Sequence, residues 1–164
     1  MKRLLTLFSF LLVALSFNTM VQAQSAPKEV IIGASVPKNG VLAAFGSYAG
    51  WGYRTAVAEA NAKGGVMLKK YGKRVPIKLV VYDDESRPEL ATKNIERLII
   101  KDGAHALLGS ATPPLVISGA VVAEREQIPM VAALSPIRAF LGANKAGWKW
   151  TWNMFFDELE MTQQ

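Results

Sequence analysis

The sequence predicts an α/β protein, a parallel doubly wound sheet, and three observations carry that expectation. Short β-branched runs lacking polar alternation read as strands buried on both faces. Stretches with helical periodicity alternate with those runs, and glycine or proline punctuates the junctions. Strand and helix repeating in this order specify right-handed crossovers, with helices on both faces of one sheet and ligands bound beyond the carboxyl ends of the strands.

Before the first strand comes a leader. Lys2 and Arg3 precede an apolar run over residues 4–17, and Val21-Gln22-Ala23 offers the small residues a signal peptidase reads, so cleavage is expected after Ala23. The run is shorter than the ~20 residues that span a bilayer. A periplasmic location is therefore expected for the mature chain. The sequence contains no cysteine, which removes disulfides, thiol chemistry and a lipid anchor on a processed N-terminal cysteine.

The β-branched run over residues 30–36 is the first strand, ended by Pro37. Residues 47–63 favour a helix, with Ala49, Tyr53, Ala56, Val57 and Ala60 on one face, and Gly64-Gly65 stops it. Residues 66–75 form a hairpin or long loop, and residues 77–82 a second strand reaching Asp83-Asp84. Ser86 with Glu89 predicts a capping box for a helix ending near Lys101, with Pro88 in its first turn. A third strand over 104–109, a helix over 115–125 and a fourth strand over 128–133 follow. Ser135-Pro136 begins a loop, and a fifth strand over 148–156 places Trp148, Trp150, Trp152 and Met154 on one face. The loops at the carboxyl edge are therefore 37–46, 83–87, 109–114 and 134–137.

The chemistry available is narrow. The single histidine, His105, falls at the strand end away from those loops, and no Gly-x-Ser-x-Gly elbow exists, which argues against a hydrolase. Histidine or cysteine metal sites are excluded by count, and no cofactor is expected. Gly46, Gly50 and Gly52 are spaced wrongly for phosphate-binding fingerprints and read as packing glycines. The net charge of +6 includes Lys2 and Arg3, leaving a mild excess. Its one cluster, Lys69, Lys70, Lys73 and Arg74, reads as a solvated hairpin tip, so no nucleic-acid partner is expected. Asp83 and Asp84 could hold magnesium, as in an enzyme or a receiver-like domain; carboxylates bonding backbone amides and opening the helix are preferred. Gly109-Ser110-Ala111-Thr112 hands a strand to a helix with two hydroxyls and free amides, a place for a carboxylate. Equally, Ser110 or Thr112 caps its own helix.

Ile32-Gly33-Ala34-Ser35-Val36, Ala44-Phe45-Gly46, Glu59-Ala60-Asn61-Ala62-Lys63-Gly64-Gly65-Val66, Val80-Val81-Tyr82-Asp83-Asp84-Glu85-Ser86-Arg87-Pro88 and Ile128-Pro129-Met130-Val131 occur in this order. Together they resemble the leucine/isoleucine/valine type of periplasmic solute-binding proteins that feed ABC importers. The resemblance implies a type 1 lobe: residues 24–156 as an incomplete N-terminal lobe, residues 157–164 as the start of a crossing, and the second lobe missing. It implies a small solute, an amino acid or a related amide or acid, bound without catalysis by Phe45, Ser110, Ala111, Thr112, Leu134 and Ser135. The full-length protein is expected to be monomeric and to deliver its solute to a membrane permease. Pro113 and Pro136 replace hydroxyl residues common in the family and donate no hydrogen bond. A ligand-sensing ectodomain of the same fold is the alternative.

Overall fold

The structure is a computed structural model and describes residues 25–157 and 159. The leader expected over 1–23, and all but Asp157 and Leu159 of the crossing segment, lie outside the described residues. In chain order the elements are β1 (Val30–Val36), α1 (Ala43–Ala62), β2 (Val66–Leu68), a 3-10 turn (Lys69–Tyr71), β3 (Lys73–Val75), β4 (Ile77–Asp83), α2 (Pro88–Ile100), β5 (Ala106–Leu108), α3 (Pro113–Glu126), β6 (Met130–Ala132), α4 (Ile137–Gly142) and β7 (Thr151–Asn153).

A five-stranded sheet runs β4-β1-β5-β6-β7, with every pairing parallel. The first crossover moves from β1 outward to β4, and each later one moves the opposite way. Right-handed connections therefore set α1 on one face and the later helices on the other, and the winding reverses between β1 and β5. β2 and β3 pair antiparallel as the hairpin expected at residues 66–75.

Ile95 and Leu98 of α2, Leu107 of β5, Val116, Ala120 and Ala123 of α3, Met130 of β6 and Phe140 of α4 form one buried cluster. Fully burying each large aliphatic side chain stabilises by about 1.5–3 kcal/mol. Gly33 admits α2 to the sheet, since a Cβ there would lie 2.9 Å from the Leu98 methyls. At the far end of α1 the Asn61 side chain accepts from the Ile77 amide and donates to its carbonyl, both at 2.8 Å, so helix end and strand start are clamped together. Among the described residues no helix is long and apolar enough to cross a membrane.

Several expectations are corrected. α1 begins at Ala43, ahead of Ser47, and Ala56 is exposed; Gly46, Ala49 and Gly50 form its buried side. A Cβ on Gly46 would stand 1.9 Å from the Pro37 carbonyl oxygen, so that glycine is a packing residue, whereas Gly52 faces open space. Ser86 caps nothing: α2 starts behind Arg87 without a side-chain cap, and the Ser86 hydroxyl accepts from the Leu42 amide and donates to the Asn39 carbonyl. The loop expected after Ser135 contains α4, whose Phe140 stacks on Trp148 at 4.8 Å. β7 is confined to Thr151–Asn153, so Trp148 precedes the strand and packs on the core while Trp152 stays exposed.

Candidate functional site

The carboxyl edge is built by side chains that tie successive loops together. Asp83 closes β4 and gathers the loop after β1: its Oδ1 accepts from the amides of Lys38 (2.9 Å), Asn39 (3.3 Å) and Glu85 (2.8 Å), and its Oδ2 from the Asn39 side chain. Partial burial pushes its carboxyl up, but these four donors outweigh that and hold it below the ordinary 3.8. Asp84 is fully buried, accepting from the hydroxyls of Ser35 (3.0 Å) and Ser110 (2.7 Å) and from the Ser86 amide (3.1 Å). Burial dominates there and lifts its carboxyl above 3.8. Both carboxylates thus bond backbone amides as expected, but neither opens the helix: the amides are those of loop residues, and α2 starts behind Arg87 without a side-chain cap.

The next loops join side by side. Ala111 and Leu134 form a parallel bridge, the Thr112 amide donates to the Leu134 carbonyl at 2.8 Å, and the Asn153 side chain donates to the Ser135 carbonyl at 2.7 Å. From the other face of the sheet, the Tyr53 hydroxyl of α1 donates to the Gly109 carbonyl at 2.7 Å. Burial pushes that phenol up to about 12, so it remains a neutral donor at physiological pH.

Thr112 is the N-cap of α3, yet its side chain caps nothing and its backbone sits at φ 65°, ψ 153°. Extended ψ is usual before proline, but positive φ in a β-branched residue is strained, typically by about 1–3 kcal/mol. Among the described residues the buried Thr112 Oγ1 and Ser135 Oγ atoms have no hydrogen-bond partner, nor does Thr151 Oγ1 in β7. Each such orphan costs about 1–3 kcal/mol. Pro113 and Pro114 occupy the first turn of α3, so the helix end expected to receive an anion lacks two of its amides.

Four of the six residues expected at the site, Ala111, Thr112, Leu134 and Ser135, meet where the two loops join. Ser110 is beside them, but its hydroxyl is committed to Asp84. Phe45 rides the first turn of α1 and is 51% exposed. Sequence reasoning missed Tyr53, Asn153 and the cross-links made by Asp84; an aspartate at a strand end was the only signal of the last. A groove of about 560 Å³ opens at the opposite edge, but Val30, Val66, Leu68 and Tyr71 make its lining chiefly apolar. His105 lies there too, its Nδ1 accepting from the Ile31 amide at 3.1 Å. That groove offers few of the polar groups that orient a solute.

Comparison with known proteins gives the same architecture. The branched-chain amino acid transporter substrate-binding protein LivJ from Streptococcus pneumoniae, solved with isoleucine, superposes with a TM-score of 0.68 at 25% identity, over 79% of this chain and 34% of that one. The leucine-binding protein LivK of Thermotoga maritima gives 0.64 at 24% identity, over 79% and 33%. A solute-binding protein of an ABC transporter from Rhodopseudomonas palustris, solved with 3,4-dihydroxybenzoic acid, gives 0.62 at 17% identity, over 79% and 32%. The chain thus spans about a third of the length of these structures. A family profile described as periplasmic binding protein matches residues 29–157. The chain belongs to the periplasmic binding protein family, whose members bind solutes.

Proposed function

We propose that this chain supplies the N-terminal-lobe half of the solute site in the binding component of an ABC importer. The protein carrying it captures an amino acid, or a related amide or small acid, in the periplasm and hands it to a membrane permease. It is exported by the leader, cleaved after Ala23, and performs no catalysis of its own. The observation that carries this reading is the pair of buried, unpartnered hydroxyls of Thr112 and Ser135 on loops joined at the carboxyl edge of the sheet. A third such hydroxyl, Thr151 in β7, shows that the fold tolerates an orphan elsewhere, so the support comes from the other two standing together on adjoining strand-end loops, where they have the chemistry to donate to a carboxylate or amide oxygen. The half-exposed ring of Phe45 adds an apolar surface. The isoleucine and dihydroxybenzoate held by the matched structures are the natural probes.

Titration calorimetry on the protein carrying this chain, with L-isoleucine and 3,4-dihydroxybenzoate, tests the reading. One of the two binds, and Thr112→Val or Ser135→Ala weakens it about tenfold, the worth of one hydrogen bond. The unfolding midpoint stays the same or rises, because neither hydroxyl has a partner to lose among the described residues. Binding that is indifferent to both substitutions, or absent with both probes, sinks the proposal.

A further inference from the structure

Three strand ends converge on one buried carboxylate. Asp84 follows β4, Ser35 lies near the end of β1, and Ser110 follows β5; both hydroxyls donate to the same Asp84 oxygen, Oδ2. The direction of the Ser35 bond is set from behind, because the Asn94 side chain donates to Ser35 Oγ at 3.2 Å and to the Asp83 carbonyl at 2.8 Å. With its oxygen accepting there, Ser35 turns its proton to Asp84. Ser110 directly precedes the Ala111–Leu134 bridge and strained Thr112.

We infer that Asp84 is a positioning residue for the proposed solute site, acting through Ser110 to fix the backbone of residues 110–112 and hence the direction of the Thr112 hydroxyl. This rests on the reading of that edge as the solute site. A purely structural role accounts poorly for the choice of residue. Burial holds the Asp84 carboxyl above its ordinary value, so its ionised form costs stability at neutral pH, and an apolar side chain of similar volume fills a core as well or better. What an apolar side chain cannot do is hold Ser110 across the point where the winding of the sheet reverses.

The test is amide hydrogen exchange in the solute-free protein, read at Thr112, whose N–H is held by the Leu134 carbonyl. Ser110→Ala and Asp84→Asn each speed that exchange about tenfold or more relative to the amides of β1, the mark of a local rather than global opening. The double substitution is no faster than the faster single, because Ser110→Ala removes the same tie that Asp84→Asn weakens by taking away the charge and one acceptor oxygen. Ser35→Ala, which touches the same carboxylate but not the loop, changes it less than about threefold. The same two variants weaken isoleucine or dihydroxybenzoate binding where Ser35→Ala does not. Unchanged Thr112 exchange in Ser110→Ala overturns the inference, whatever the binding data say, and that variant decides the matter even where Asp84→Asn fails to fold. Faster exchange without binding of either probe leaves the tie standing and removes the solute reading instead.

Discussion

Asp83 and Asp84 are neighbours with the same side chain, and the fold drives their carboxyls in opposite directions. The difference lies in solvent: Asp83 keeps some exposure while four donors surround it, and Asp84 loses water entirely for three. A carboxyl held below its unfolded value contributes stability that is present above that value and lost as pH falls through the folded one. Asp83 therefore contributes at neutral pH and ceases to contribute in acid. Asp84 has the opposite sign, since its raised carboxyl favours the folded state below pH 3.8 and withdraws that support as pH rises through its folded value. Asp83→Asn should cost about 1 kcal/mol at pH 7, the worth of hydrogen bonds to a charged group discounted for solvent screening, and less at pH 3, below the ordinary value of 3.8. Urea unfolding at the two pH values measures it, and an equal loss at both would show that the charge on Asp83 does not matter.

At the scale of elements, α1 shows what local pattern can and cannot specify. Its helical period and its Gly64-Gly65 stop were legible, as were β1 and the hairpin, because each is encoded by neighbours in the chain. Its start was not, because a glycine at position 46 looks unfavourable for a helix until the Pro37 carbonyl is seen occupying the place of its Cβ. α4 was missed for a similar reason: it is short, follows proline, and its Phe140 is held by a stack on Trp148 from the next loop. Ser86 and Glu89 have capping-box spacing, yet a partner distant in sequence, Leu42, takes the Ser86 hydroxyl. Gly46→Ala is predicted to lose roughly 1–3 kcal/mol, the usual cost of overpacking, even though alanine is the better helix former. A shift of the urea midpoint to higher concentration would mean that propensity outweighs the contact with Pro37.

Across the whole molecule, the loops that carry hydroxyls could be named from their places at strand ends, since a parallel sheet dictates which edge its ligands use. The ties between them could not, because Ser110 and Asp84, or Asn153 and Ser135, meet only after the sheet has assembled. Assembly also leaves one border of the sheet at β7, which pairs with β6 alone among the described residues. Trp152 there is 53% exposed and Met154 beyond it 77%. A strand border carrying large apolar side chains invites pairing with another chain, and natural edges guard against it with charge, lysine above all. The 164-residue chain is therefore predicted to self-associate through β7, and Trp152→Lys to suppress this without loss of fold, because the side chain already faces solvent. Sedimentation velocity across a concentration series, with circular dichroism as the control for folding, distinguishes the outcomes. A concentration-dependent shift in the wild type that vanishes in the variant supports pairing at this border; the same shift in both places the sticky surface elsewhere.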